Sequence, residues 1–475
     1  MGPSLKILSL LWLVNLAPPI ASLVLRERFR TPVDGGCRLK DGRRLLGDHK
    51  TLRGVLAGIT TGGLMGWLLG MPLGIGLSCG FLSMAGDLLT SFVKRRLGKP
   101  SGAVVAGLDQ LPEGALPLLV LVPYARLGVA SYVGLLLLFG VGAYVGSFLF
   151  TWISLNRTGR RYRRNLPLTG RLREWRACDT AYHPLHPVIN VDRNIYYQLL
   201  MKTAFRLTWL YGRGRKNALS IRLNTVTFHF DDLPAAFDGY TILLLTDLHL
   251  DGLAGLDQAI ISLVAPLSVD LCLFGGDYRA KLSGPYSKVL IRMRRLLHAI
   301  DTRDGCYAVL GNHDCIGMIP PLEKRGLRFL VNDAVSLARG EDHLWLVGID
   351  DPAYYQAHDL RIAFEDVPAG AFTILLAHSP DVYDEAAAYG ARLYLCGHTH
   401  AGQVQLPRIG PVVTHSRAPR EYTQGQWQFG RMQGYTSTGA GVSGVPVRFG
   451  TLGEVVLLRL KRDAPPSPTK PFPTP

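Results

Sequence analysis

Cysteine is sparse in this chain and follows no recognisable spacing. The seven residues Cys37, Cys79, Cys178, Cys272, Cys306, Cys315 and Cys396 are odd in number and include no CxxC. That argues against a disulfide framework or a zinc knuckle and favours a reducing compartment. Acid is also scarce, with 36 Asp and Glu against 52 Lys and Arg and a formal net charge of +16. Such a balance calls for an anionic partner: nucleic acid, a phosphorylated substrate or an acidic membrane face. The basic residues concentrate beside apolar runs, so nucleic acid is not the expected partner. At 475 residues the chain is long enough for two cores.

The first 155 residues are dominated by apolar runs. ILSLLWLVNLAPPIASLVL, from Ile7, has the roughly 20 residues a spanning helix needs. Val55 to Leu89 can hold a hairpin of two short spans and Ala115 to Ile153 two more. Gly62, Gly63, Gly66 and Gly70 permit close helix packing in lipid. Basic clusters lie at 26–53, in FVKRRLGK (Phe92 to Lys99) and in NRTGRRYRRN (from Asn156). The positive-inside rule puts all three in the cytoplasm, which requires about five spans and an external N-terminus, although Arg126 interrupts the fourth. The expectation is an integral protein of the inner or plasma membrane with its second half cytoplasmic. Residues 156–220 read as a basic juxtamembrane linker, and residues 461–475 as a disordered proline-rich tail.

From Ile221 the pattern changes to short apolar runs alternating with longer amphipathic ones, an α/β signature. Five runs end in residues of the same chemistry. TILLL leads to Asp247 and His249, LCLF to Asp277, YAVL to Asn312, His313 and Asp314, TILLA to His378, and RLYLC to His398 and His400. Ligands of α/β sheets bind beyond the carboxyl ends of the strands, so five such ends can meet at one site. Oxygen and imidazole donors without thiolate suit Mn, Fe or Zn. This number of ligands suits two ions bridged by a carboxylate, with Asp277 the natural bridge. Such a pair activates water and neutralises a phosphoryl group under attack. Alternation along an extended segment is expected to point His398 and His400 the same way.

The motifs TDLH, GGD, GNHD, AHSPD and GHTH, in this order over about 223–460, resemble the calcineurin-like metallophosphoesterase superfamily. The opening LPAAFDGYTILLLTDLHLD resembles its membrane-associated bacterial branch. The resemblance implies an α/β four-layer β-sandwich flanked by helices over 221–460. It assigns Asp247, His249, Asp277 and His400 to one divalent ion, and Asp277, Asn312, His378 and His398 to the other. It makes His313 the acid or charge stabiliser at the scissile phosphate, with Asp314 orienting it.

Three polar fragments interrupt the first half: GDHKTLRG, GDLLTSFVKRRLGKPSG and LDQLPE. Ionisable residues at membrane depth point to function, and Asp87 ends an apolar span. Lys50, Arg53, Lys94 and Arg95 suit phosphates; Asp87 and Asp109 suit Mg²⁺ on a nucleotide. Residues 1–155 resemble the CDP-archaeol synthase family, membrane cytidylyltransferases that join CTP to a lipid phosphate. The resemblance rests on Lys50, Thr51, Gly54, Gly86, Asp87, Ser91, Lys94, Arg95, Asp109 and Gln110. It implies CTP and Mg²⁺ held by Lys50, Asp87, Lys94, Arg95 and Asp109. The wider family usually has a second acid where this chain has Pro112; Glu113 follows it.

Together these readings predict a membrane-bound enzyme whose phosphoesterase acts on a phosphorylated, lipid-linked substrate, fused to a cytidylyltransferase-like domain in contact with membrane lipid. The alternative is a phosphoesterase for a soluble nucleotide, with the first half only an anchor or lipid-binding scaffold.

Overall fold

The computed structural model describes residues 2–25, 28–99, 101, 105, 108–164, 166–178, 200–411 and 413–463. The expected disordered tail from residue 464 and residues 179–199 of the expected linker lie outside the described residues. The chain divides into two units, the first holding described residues to Ser154 and the second those from Leu155 onward.

The first unit is built from α1 (Pro3–Leu25), α2 (Leu52–Leu68), α3 (Leu73–Arg96), α4 (Gln110–Tyr124) and the start of α5 (Val129–Arg161). Thr51 opens α2 by accepting the Gly54 amide, which satisfies one of the donors a helix start leaves unpaired. Only α1, α3 and α5 are long and apolar enough to cross a membrane among the described residues. With 17 and 15 residues, α2 and α4 reach only about 26 and 23 Å, short of a ~30 Å hydrocarbon core. Length and composition therefore identify three candidate spans among the described residues and do not confirm the expected count of about five. Glycine brings α2 and α3 together. A Cβ on Gly62 would lie 2.5 Å from the Gly76 carbonyl oxygen, and one on Gly66 2.8 Å from the Gly76 Cα. Gly70 is not part of this seam; it sits in the turn after α2 with φ +79°.

The second unit carries β1 (Arg222–Phe230), β2 (Thr241–Leu245), β3 (Ser268–Val269), β4 (Leu271–Phe274), β5 (Asp301–Thr302), β6 (Cys306–Ala308), β7 (Leu327–Phe329) and β8 (Asp333–Arg339). After these come β9 (Asp342–Gly348), β10 (Thr373–Leu376), β11 (Leu393–Cys396), β12 (Gln405–Leu406), β13 (Gly410–Pro411), β14 (Gly425–Phe429), β15 (Met432–Thr436) and β16 (Glu454–Arg462). Two six-stranded sheets result, ordered β1-β16-β2-β4-β6-β7 and β14-β15-β11-β10-β9-β8. Because side chains alternate across a strand, Ile242 and Leu244 of β2 join Ile374, Leu376, Leu393 and Leu395 in the core between the sheets. Leu243 and Leu245 face the other way, onto Ile260, Val289 and Met293 of the helices Leu256–Val264 and Ser287–His298. On the second sheet Leu375 and Tyr394 pack with Leu360 and Ala386 of outer helices. The layers are therefore helix, sheet, sheet, helix.

The expected linker proves to be part of this unit in its described portions. Leu166, Ala177, Cys178 and Ala218 sit in the core beneath the first sheet. In α6 (Leu168–Cys178), the buried Glu174 pairs with Arg164, whose guanidinium also pairs with Asp350 and stacks 4.7 Å from the Tyr355 ring centroid. The Ile316 amide donates to Glu174 at 3.2 Å. A disulfide joins Cys178 to Cys315 across 137 residues of chain. Odd, unspaced cysteines gave no sign of this pair, because only the fold brings α6 to the turn after Asp314. Closing so long a loop limits the unfolded chain. Cys178→Ser should therefore cost the oxidised protein about 2–5 kcal/mol, read as a lowered Tm that reductant abolishes by bringing the wild type down to the variant.

Candidate metal centre

Five strands deliver the candidate ligands: β2 to Asp247 and His249, β4 to Asp277, β6 to Asn312, β10 to His378, and β11 to His398 and His400. β2, β4 and β6 run parallel in one sheet, and β10 and β11 in the other, so all five ends reach one edge of the sandwich. The backbone there is unusual. Asp247, His249, Asp277, His398 and His400 have φ of 50, 40, 58, 72 and 49°, a left-handed region costly for residues with a Cβ and concentrated at functional sites. His398 and His400 therefore do not share the face of an extended strand. β11 ends at Cys396, and a tight turn over His400–Gly402 aims each ring separately. Glycine is required at Gly311, where a Cβ would strike the Asp277 carboxylate.

The side chains form two groups that share Asp277. In one, His249 Nε2 lies 3.1 Å from His400 Nε2 and 3.6 Å from Asp277 Oδ2, and His400 Nε2 lies 3.6 Å from Asp247 Oδ1. In the other, His378 Nε2 lies 3.5 Å from Asp277 Oδ2 and 2.9 Å from Asn312 Oδ1. His398 Nδ1 lies 3.0 Å from Asn312 Oδ1 and 3.1 Å from His378 Nε2. Backbone carbonyls set the tautomers. His249 Nδ1 and His378 Nδ1 donate to the carbonyls of Arg279 and Gly275, each at 2.8 Å, and His398 Nε2 donates to that of His415 at 3.1 Å. The opposite nitrogens of His378 and His398 then present lone pairs to each other and to Asn312 Oδ1. Acceptors crowded this closely fit a cation, and the carbonyl contacts are those that orient imidazole ligands. These observations fit the binding of divalent metal.

A cation at these atoms would take the place of protons that the buried charge otherwise draws onto the rings. Burial disfavours charge on Asp277, yet the rings of His378, His313 and His249 hold its carboxyl well below the usual carboxylate range. Burial also opposes charge on His378, but Asp277 beside it drives the imidazole well above its ordinary value. His400 goes the other way, lowered by burial and by neighbouring His249 and Arg448.

His313 stands next to both groups, its Nε2 3.9 Å from Asp277 Oδ2 and its Nδ1 donating to the Ala280 carbonyl at 3.0 Å. Burial holds its pKa down to about 3. Asp314 does not orient this ring. Its buried carboxylate accepts the amides of Asp277 at 2.7 Å, Tyr278 at 3.0 Å and Gly311 at 3.0 Å, tying the two ligand loops together. Burial raises its carboxyl to about 7. Two buried arginines escaped the sequence reading. Arg279 donates to the carbonyls of His313, Leu282 and Gly284, and Arg448 to those of Thr438, Gly439 and Gly441 while lying 3.3 Å from His400 Nδ1. Arg279 could have been suspected two residues after Asp277; nothing near Arg448 signals its role.

In the first unit Lys50, Asp87, Lys94, Arg95, Asp109 and Glu113 line one cavity of about 160 Å³. Lys50 Nζ pairs with Asp87 at 2.6 Å and Lys94 Nζ with Asp109 at 2.7 Å. Glu113, which accepts from Asn15 Nδ2, reaches this cavity despite Pro112. Three carboxylates and three cations at one place form a donor set able to hold a metal and a phosphate chain together.

A sandwich with two such clusters at one edge, joined to apolar helices, defines a metal-dependent phosphohydrolase with a membrane domain. Comparison with known proteins agrees. The profile of the calcineurin-like phosphoesterases matches residues 240–402, and that of CDP-archaeol synthase matches residues 6–156. The protein named "Uncharacterized metallophosphoesterase YkuE" of Bacillus subtilis is 30% identical over 242 residues, 48% of this chain and 82% of that protein. The CDP-archaeol synthase of Pyrobaculum arsenaticum is 40% identical over 126 residues, 26% of this chain and 77% of that protein. A "Transmembrane protein with metallophosphoesterase domain" of Danio rerio is 28% identical over 251 residues, 49% of this chain but only 55% of that protein. The chain belongs to the calcineurin-like metallophosphoesterases through its second unit and to the CDP-archaeol synthase family through its first.

Proposed function

We propose that the second unit hydrolyses a lipid-linked phosphate ester or pyrophosphate at two divalent ions, and that the first transfers CMP from CTP to a lipid phosphate with Mg²⁺. The observation that carries the first half of this reading is Asp277, whose Oδ2 lies between the two imidazole groups. When bound, the ions supply an activated water and neutralise the phosphoryl oxygens. Asp247, His249, Asp277 and His400 would hold one ion; Asp277, Asn312, His378 and His398 the other. His313 keeps its Nε2 directed at the reacting phosphate because Nδ1 is committed to Ala280. An anionic phosphate beside that ring offsets the burial that keeps it neutral, so it acts as acid or charge stabiliser. Asp314 holds the loops of Asp277 and His313 in register.

In the first unit, Lys50, Lys94 and Arg95 would bind the triphosphate, and Asp87, Asp109 and Glu113 the metal. The full-length chain carrying His313→Ala, which silences hydrolysis, should accumulate a CDP-lipid from CTP and a lipid phosphate. Asp87→Asn should abolish that product, since an amide binds Mg²⁺ poorly. No product with any lipid phosphate would favour the second reading, a phosphoesterase for a soluble nucleotide on a lipid-binding scaffold; Pro112, in place of an acid, is the observation behind it.

Three basic clusters flanking the apolar helices place the phosphoesterase on the cytoplasmic face in this reading, which needs α2 and α4 to cross as well, with local thinning of the bilayer around them. Cys178–Cys315 argues the other way, since disulfides persist in oxidising compartments. Alkylation of intact cells followed by mass mapping decides. A cytoplasmic domain yields Cys178 and Cys315 as modified thiols, and an external one yields them as an unmodified disulfide.

A further inference from the structure

A groove of about 920 Å³ opens beside His313. One wall comes from the two helices ahead of β1, α6 and Leu210–Leu219, which contribute Arg173, Arg176 and Arg215. These helices precede residues 240–402, the part matched by the phosphoesterase profile, so what they add is separate from the shared metal chemistry. They are held firmly. Glu174 and Cys178 anchor α6, and in the second helix Gly214 packs so tightly that a Cβ there would lie 2.7 Å from that of Val447. Asn217 Nδ2 donates to the Arg448 carbonyl and the Arg448 amide to the Gly214 carbonyl, each at 3.0 Å. The helix is thereby tied to the backbone of the guanidinium that flanks His400.

Two of the three arginines in this wall are not paired with acids by the fold. Arg292, Arg339 and Arg392 all pair with carboxylates. Arg173 is engaged with Tyr354, donating to its carbonyl at 2.7 Å and lying 5.2 Å from its ring centroid. Asp251, the one acid lining the groove among the described residues, accepts the Ala280 amide at 2.6 Å. Among the described residues Arg176 and Arg215 have no carboxylate partner; both are exposed and both face the same groove. Guanidinium is the side chain best shaped to grip a phosphate with two parallel hydrogen bonds.

We propose that α6 and Leu210–Leu219 form a second anion subsite in which Arg176 and Arg215 bind the non-scissile phosphate of a diphosphate ester. This rests on the phosphoesterase reading above and narrows its substrate class. Water oxygen bonds to the scissile phosphorus at the metal centre as the bridging P–O bond breaks. The bridging oxygen leaves on the phosphate held by the arginines, giving two phosphate monoesters and releasing protons to solvent. The diphosphate can belong to a lipid-linked or a soluble nucleotide.

The test uses the full-length, metal-loaded chain in detergent with three substrates: a CDP-lipid in mixed micelles, a soluble CDP ester, and bis-p-nitrophenyl phosphate, which has a single phosphate. With whichever diphosphate source the wild type prefers, Arg176→Ala with Arg215→Ala should lower the ratio of its kcat/KM to that of bis-p-nitrophenyl phosphate at least about tenfold, through KM, as the loss of two charge-assisted contacts implies. Arg176→Lys with Arg215→Lys should recover part of it. An unchanged ratio, or a fall confined to kcat, overturns the proposal. If the wild type hydrolyses none of the three, the phosphoesterase reading fails instead. Calorimetric titration with inorganic pyrophosphate then reads the subsite as the difference between wild type and the double alanine variant, the first-unit cavity being common to both, and identical isotherms overturn it.

Discussion

Asp277→Asn is expected to lose more than one metal ion per chain and to lower kcat on the order of 10³-fold or more, the scale seen when a group on which several others depend is removed. The carboxylate Oδ2 lies 3.6 Å from His249 Nε2 and 3.5 Å from His378 Nε2, so one substitution reaches both clusters. An amide keeps the size and the oxygen but removes the charge that the surrounding imidazoles stabilise. Any other ligand belongs to one cluster only, so His249→Ala should cost one ion where Asp277→Asn costs more. Metal analysis of the two purified variants checks this, and equal losses would remove Asp277 from its bridging place.

His313→Ala should behave in the opposite way, retaining its metal while losing on the order of 10² to 10⁴ in rate, the range for a positioned proton donor. The ring lies 3.9 Å from Asp277 and packs edge-on against His249 with ring centroids 4.9 Å apart, while its Nδ1 is bound to a backbone carbonyl. Removing it leaves Asp314 and the three amides it accepts in place. Metal analysis and steady-state rates separate the roles: loss of an ion would make His313 a ligand, and wild-type rates would take it out of the mechanism.

Much of the candidate centre was legible because each ligand follows a short apolar run. A buried strand that ends in Asp or His at a glycine turn sets a polar group at the rim of an apolar core, where packing gives it no use. What escaped was conformation and long-range pairing. His398 and His400 look like alternating strand residues on paper, but left-handed backbone turns them toward separate groups. The segment 156–220 looks like a basic linker since α6 buries Glu174 and Cys178 rather than an apolar stripe. Glu174 is buried only because Arg164 and Asp350, the latter far along the chain, assemble around it. Arg448 was invisible for a related reason: its work is done on backbone carbonyls, which carry no residue identity. In the first unit, the spacing from Asp109 to Pro112 suggested a missing acid, while a helix beginning at Gln110 carries Glu113 into the cavity.

The central claim is that this centre works with two ions. The most direct measurement is titration of the chelator-stripped, full-length chain carrying Asp87→Asn, which weakens metal uptake by the first-unit cavity, with Mn²⁺ while hydrolysis of bis-p-nitrophenyl phosphate is followed. The account predicts negligible activity without metal and full activity at two equivalents bound per chain. Full activity at one equivalent, or activity that persists after stripping, would contradict it.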